Sequence, residues 1–290
     1  MTVWTSQQVA QALGVAAPAQ LSFTGVTTDT RHLTPGTLFV ALKGERFDAH
    51  DFLGQAKAAG ATGAVVRRGT PPVAGLTLFE VADTLTALGL LARARRRLLP
   101  AGAPVVAVTG SSGKTSAKEM IRSALAARWG GRVHATAGNL NNLVGVPLTI
   151  LAAPEDTDAL VVEAGASVPG EIAALRDIIE PTIAVVTNVG YAHLEGFGTV
   201  ERLLQEKASL LDGAPVAVVG NLPALVAEAR RRARKVVVVA RDEFGEVHPS
   251  KVDVDDAGRP VLHWGGASVT LPVLGLHQVD NAMIALAVAR

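Results

Sequence analysis

"VVAVTGSSGKTSAKEM", residues Val105 to Met120, runs from β-branched and apolar positions into a glycine-and-serine turn and then into a helix-forming segment that opens on a lysine and a hydroxyl. A strand feeding such a turn and then a helix aims backbone N–H groups and the positive helix end at one point, where an anion is stabilised. Lys114 adds a full charge to that point, and Thr115 offers a hydroxyl to a magnesium ion bridging phosphates. The turn through Gly110, Ser111, Ser112, Gly113, Lys114, Thr115 and Ser116 therefore reads as the holder of the β- and γ-phosphates of a nucleotide. The general pattern is G-x-x-x-x-G-K-[ST], but Val108 occupies the slot of the first glycine, so only the shorter G-x-x-G-K-T is present. An ordinary strand-to-helix turn is the competing reading. The position of the motif, after an apolar strand and before a helix, weighs against it.

On the C-terminal side of this stretch, strand-like and helical runs alternate: Ala159 to Val162, a helix from Pro169, Thr182 to Thr187, a helix from Val200, Pro215 to Val219, a helix from Leu222, and Val236 to Ala240. Alternation with nearly continuous Val, Ile and Ala strands predicts a parallel sheet covered on both faces. Between Val247 and Val273 three short runs separated by "DDAGRP" and "GG" predict an antiparallel appendage. On the N-terminal side, short runs between Leu21 and Val81, with one helical stretch at Asp51 to Ala59, predict a small mixed α/β unit. A helix from about Ala82 to Leu99 follows, ending at Pro100; its arginines 93, 95, 96 and 97 are read as a solvated face. The expected fold is α/β: a small mixed N-terminal domain at 1–82, and a central phosphate-loop ATPase domain at 83–290 with a mainly parallel sheet and a short antiparallel appendage.

Composition narrows the function. Lys and Arg number 27 against 26 Asp and Glu in 290 residues, so bulk charge gives no reason to expect nucleic acid. Cysteine is absent, which removes disulfides, thiolate metal sites and cysteine nucleophiles. No apolar run approaches the roughly 18 residues needed to span a bilayer. The start, "MTVWTSQQVAQALGV", reads as a short amphipathic helix capped by Thr5 or Ser6, and a soluble, cytoplasmic protein is expected.

Phosphoryl transfer needs a metal with hard oxygen ligands. In "DALVVEAGAS" an apolar strand ends on Glu163, which puts a carboxylate at the carboxyl edge of a parallel sheet, where α/β folds bind ligands. The strand "PTIAVVTN" ends on Thr187 and Asn188, and the loop "GYAHLEGFG" then brings His193 and Glu195 to the same edge. In "TVERLLQEKASLLDG" the stripe Val200, Leu203, Leu204, Leu210 and Leu211 extends through Lys207. Either Lys207 snorkels from the margin of that stripe or it is held near the nucleotide. In the second case desolvation lowers its pKa, and a neutral amine can take up carbon dioxide as a carbamate, turning a cation into a metal-binding anion.

Together these residues resemble the Mur ligases, ATP-dependent amide-forming enzymes of peptidoglycan precursor synthesis. The resemblance covers nearly the whole chain and rests on "DTRHLTPGTLFVALKGERFDAHDF" from Asp29, "TGSSGKTSAKEM" from Thr109, "TAGNLNNLVGVPLTIL" from Thr136, "EAGASVPGEI" from Glu163, "NVGYAHLEGFG" from Asn188 and "GLHQVDNAMIALAVA" from Gly275. "GNLNN" and "AHLEGFG" favour the D-alanyl-D-alanine-adding branch. The resemblance implies that Lys114 and the loop amides hold ATP, that Thr115 and Glu163 bind magnesium, that His193 positions a second magnesium, and that Lys207 is a carbamylated lysine serving it. Asn281 would face the adenine. Thr28, Asp29, Thr30 and Arg31, with the segment from Lys43 to His50, would hold the uridine diphosphate end of a UDP-N-acetylmuramoyl-tripeptide, and Asn139 would approach its muramyl part. The implied reaction forms an acyl phosphate that the amine of D-alanyl-D-alanine attacks. Mur ligases carry a third domain with most of the dipeptide surface; its absence by position 290 implies a truncated piece with an incomplete ligase site. A monomer is expected.

A phosphate-loop hydrolase or small-molecule kinase would use the same Gly110 to Thr115 turn, but has no need of the "DTR" segment or of Lys207. A scaffold that keeps the nucleotide site for regulation has no need of Lys114, Thr115, Glu163 and His193 together. A Mur ligase adding another amino acid is the nearest alternative.

Overall fold

The computed structural model describes residues 4–45, 47–190 and 197–290, and divides into two compact units: Met1–Leu99 with Leu143–Asp156, and Pro100–Asn142 with Thr157–Arg290. The division differs from the expected 1–82 and 83–290. The helix Thr84–Arg96 lies in the first unit, because it buries Ala87, Leu88, Leu91 and Ala92 there and packs on the helix Gly145–Leu151 of the returning segment. Arg95 corrects the reading of a solvated basic face. It is 2% exposed, and its guanidinium Nη2 donates to the carbonyls of Ala153 (2.8 Å) and Pro154 (2.7 Å).

The first unit is mixed α/β, as its short runs predict. Strand β1 (Trp4–Thr5) leads into the helix Ser6–Leu13, where Thr5 and Gln8 form a reciprocal capping box, and β2 (Ser22–Phe23) pairs antiparallel with β1. Strands β3 (Val26–Thr27), β4 (Leu38–Val40), β5 (Gly63–Arg67) and β6 (Thr77–Val81) form a parallel sheet in that order. Phe39, Ala41, Leu53, Ala56, Ala64, Val66 and Leu76 fill its core.

The second unit carries a six-stranded sheet of β7 (Val105–Thr109), β8 (Val133–Ala135), β9 (Ala159–Glu163), β10 (Ile183–Val186), β11 (Val216–Gly220) and β12 (Lys235–Val239). Their order is β12-β11-β10-β7-β9-β8 and every pairing is parallel. Every residue of β7 and β9 is buried, which explains their unbroken apolar reading. The half-buried edge strand β8 is too short for a sequence period and escaped that reading. From β7 the chain runs to the edge strand β8, returns to β9 between the two, then crosses to β10 and continues outward to β12. The order therefore reverses between β7 and β10, and that crevice is where doubly wound sheets bind ligands. Strands β13 (Lys251–Val254), β14 (Pro260–Trp264) and β15 (Ala267–Thr270) form the expected antiparallel appendage. It joins the main core through Leu262, beside Val247, Leu271, Val279 and Met283.

Candidate active site

The reversal point is occupied by the turn after β7. Gly110 has φ +149°, and a Cβ there would lie 2.0 Å from Thr187 Oγ1, so only glycine lets the turn approach the end of β10. The contact is used: Thr187 Oγ1 donates to Ser112 O (2.6 Å), Ser111 N to Asn188 O (3.1 Å), and Ser112 N to Asn188 Oδ1 (3.1 Å). Gly113, at φ +77°, then starts the helix Lys114–Trp129, whose N-terminus has no side-chain cap. Among the described residues the amides of Lys114, Thr115 and Ser116 find no acceptor. Uncapped amides at a helix start, with Lys114 Nζ folded back on Gly110 O (2.9 Å), form a donor cluster suited to phosphate oxygens. Burial lowers the Lys114 pKa, opposed by the charge of Glu163.

Glu163 ends β9 next to β7, and is 2% exposed. Its Oε2 accepts from Thr115 Oγ1 (2.9 Å) and its Oε1 from Asn141 Nδ2 (2.9 Å), while its backbone N–H donates to Thr136 Oγ1 (2.9 Å). A hydroxyl and a carboxylate in contact beside the phosphate turn are hard oxygen donors of the kind magnesium takes, and the residues present fit such an ion. Asn141, Thr136 and Lys118 were missed by sequence reasoning. Lys118, 2% exposed, donates from Nζ to Thr136 O (2.6 Å) and pairs with Glu119 (2.7 Å), so it fixes the segment that holds Glu163. Its signal was its place one turn after Lys114.

Lys207 lies on the helix Val200–Ala208 and is 1% exposed, which resolves the margin-or-buried question. Its Nζ stands 5.8 Å from the Phe197 ring centre and has no hydrogen-bond or ion-pair partner among the described residues. Burial, and next the charge of Lys114, bring its pKa down to about 8, partly opposed by Glu206 and Glu171. The charge of Lys114 disfavours a second cation nearby, which adds to the effect of burial on Lys207. His193 lies outside the described residues.

Asn281, 3% exposed, sits against the turn: a Cβ on Gly113 would approach its Oδ1 to 2.8 Å. With Gly113, Asn188, Asn221, Ala240 and Asp280 it lines a cavity of about 490 Å³. In the first unit Thr28, Asp29, Thr30 and Arg31 line a cavity of about 650 Å³ together with Phe39 and Phe47. Arg31 binds Asp29 through Nε (2.9 Å) and Nη2 (2.6 Å), and these hydrogen bonds hold the Asp29 carboxyl well below the usual carboxylate range. His50 is elsewhere, lining a different cavity of about 770 Å³; its Nδ1 faces Asp48 and its Nε2 accepts the Arg67 amide (3.0 Å). Lys43 lines neither cavity and bridges Asp48 through the backbone. Asn139 is an exposed turn residue whose carbonyl accepts from Asn141 N (2.8 Å).

With this geometry in place, residues 108–289 match the Mur ligase middle domain and residues 22–96 match the Mur ligase family catalytic domain. The chain belongs to the Mur ligase family. This Mur ligase is 39% identical, over 93% of its length, to UDP-N-acetylmuramoyl-tripeptide–D-alanyl-D-alanine ligase of Escherichia coli K12, and 38% identical over 91% to the enzyme of that name from Bacillus subtilis 168. It spans 61% and 57% of the length of those two relatives. MurF from Acinetobacter baumannii superposes with a TM-score of 0.86 at 34% identity, covering 99% of this chain and 64% of that one. MurF from Thermotoga maritima in complex with ADP superposes at 0.79 and 32% identity, covering 91% and 62%. Among the described residues no helix is long and apolar enough to cross a membrane.

Proposed function

We propose that this Mur ligase takes part in the ATP-dependent addition of D-alanyl-D-alanine to UDP-N-acetylmuramoyl-tripeptide, a cytoplasmic step of peptidoglycan precursor synthesis, and acts as a monomer. The observation that carries the proposal is the contact between Thr115 and Glu163 beside the uncapped amides of residues 114–116, at the reversal point of the sheet. The amides and Lys114 would bind the β- and γ-phosphates of ATP, with Gly110, Ser111, Ser112, Gly113 and Ser116 shaping the turn. Thr115 and Glu163 would hold one magnesium, and His193 and a carbamylated Lys207 a second. Bound magnesium would neutralise charge that builds on the phosphoryl oxygens during transfer. Asn281 and the 490 Å³ cavity would take the adenine.

In the first unit, the 650 Å³ cavity would take the uridine diphosphate end, with Thr28 to Arg31 supplying polar contacts and the exposed Phe47 ring an apolar face. His50 and Lys43 would support this segment from behind, and Asn139 would meet the muramyl part. The substrate carboxylate attacks the γ-phosphorus, ADP leaves, and the dipeptide amine displaces phosphate from the acyl phosphate to form the amide. Preorganised amides and Lys114 would stabilise the negative charge of both steps.

The test measures ADP release with each substrate omitted in turn, alongside thermal stabilisation by ATP with magnesium, UDP, and the UDP-muramyl tripeptide. Stabilisation by all three ligands and ADP release that requires both the tripeptide and the dipeptide are expected. ADP release that ignores the dipeptide and tripeptide would turn the reading towards a hydrolase.

A further inference from the structure

Three consecutive side chains on the helix Val200–Ala208 reach three different places. Gln205 Nε2 donates to Glu228 Oε1 (2.8 Å) on the helix Pro223–Arg232, and Arg232 returns a bond to Gln205 Oε1. Glu206 reaches the helix Glu171–Ile179: its Oε2 accepts from Gly170 N (2.8 Å) and its Oε1 from Ile172 N (2.9 Å). Lys207 Nζ stands 5.8 Å from the Phe197 ring centre, with no polar partner of its own among the described residues. Successive residues on a helix are about 100° apart, so anchoring residue 206 fixes the direction in which residue 207 leaves the axis.

Glu206 is 8% exposed, and a carboxylate so buried is tolerated because both oxygens accept N–H groups at a helix start, where the dipole favours negative charge. Gly170, the residue that begins that helix, has no side chain to cap it. The capped helix is also the one reached from Glu163 through residues 164–170, so the two bonds tie the exit of the Glu163 strand to the helix that carries Lys207.

We propose that Glu206 is a positioning residue: by clamping Gly170 and Ile172 it aims Lys207 at the metal-bound nucleotide. This rests on the reading of Lys207 given above. The test titrates β,γ-imido-ATP into the whole chain with and without Mg2+, for wild type, Lys207→Ala, Glu206→Ala and Glu206→Gln. Lys207→Ala and Glu206→Ala should each lose about tenfold of the Mg2+-promoted affinity, and Glu206→Gln about threefold, since the amide keeps one acceptor and turns an NH2 towards the other N–H. Affinity without Mg2+ should fall less than the Mg2+-promoted affinity in all three. A merely structural role would lower the fraction of chain that binds and its melting temperature, and leave the Kd of the binding fraction alone; that result overturns the inference. Wild-type affinity in Glu206→Ala, with Lys207→Ala weakened, overturns it too and spares the role of Lys207. Unchanged binding in Lys207→Ala removes the reading of Lys207 beneath it.

Discussion

The second unit buries two lysines almost completely, and they are solved in opposite ways. Lys118, on the phosphate-turn helix, has a carbonyl at 2.6 Å and a carboxylate at 2.7 Å. Lys207, on the helix Val200–Ala208, faces an aromatic ring instead, and the charge of Lys114 adds to the cost of its own. A buried charge with hydrogen bonds is part of the scaffold, whereas one without them costs stability and is kept at a site of chemistry. The same environment that makes Lys207 a poor structural residue makes its amine available.

Removing each lysine should therefore give opposite signs. Lys118→Ala leaves the Thr136 carbonyl without its donor and should destabilise the chain by about 3 kcal/mol in urea unfolding, since a buried partner is orphaned. If the loss is negligible, the contrast between the two lysines fails. Lys207→Met, which keeps the packing and deletes the charge, should be more stable than wild type at pH 7, by roughly 2 kcal/mol.

The pH dependence sharpens the second prediction. With a folded pKa of about 8 and an unfolded value of 10.5, the unfolded chain binds more protons between those two pH values. The wild type therefore regains stability as pH rises through that window, and the advantage of Lys207→Met should be complete below pH 8 and fade by about pH 10.5. Thermal melts of both proteins across that range check it; an advantage that does not change with pH would mean that packing, not charge, explains the gain.

The smallest effect isolates what Lys118 holds. Thr136→Val removes the hydroxyl that accepts from the Glu163 amide (2.9 Å) but leaves the carbonyl that accepts from Lys118. It should cost about 1 kcal/mol of stability and weaken magnesium-dependent nucleotide binding more than binding without metal, measured by calorimetric titration.

Much of this architecture was legible in the chain. The strands β7 and β9 to β12 are short, apolar and separated by helices, so they announce themselves; the appendage does so through its turn residues. The phosphate turn was readable because glycine, lysine and threonine at that spacing answer one local demand. The unit boundary was misread because the fate of the helix Thr84–Arg96 depends on a partner more than 50 residues away, the helix Gly145–Leu151. The buried Arg95 was misread for the same reason: its two carbonyl acceptors come from residues 153 and 154. At the site, Asn139 drew attention by its place in "GNLNN", while Asn141, two residues on, is the one that grips Glu163.

By itself the sequence determined what local physics controls: where strands give way to helices, that the turn after Val108 collects amides and an ammonium group, and that a lysine continues an apolar stripe. Only the tertiary structure decided which oxygen meets which donor. Whether Lys207 is buried, which side chain braces its helix, and that Glu163 meets Thr115 from a neighbouring strand depend on contacts between residues distant in the chain. Those contacts are fixed by sheet order and helix packing, which no periodicity along the chain records.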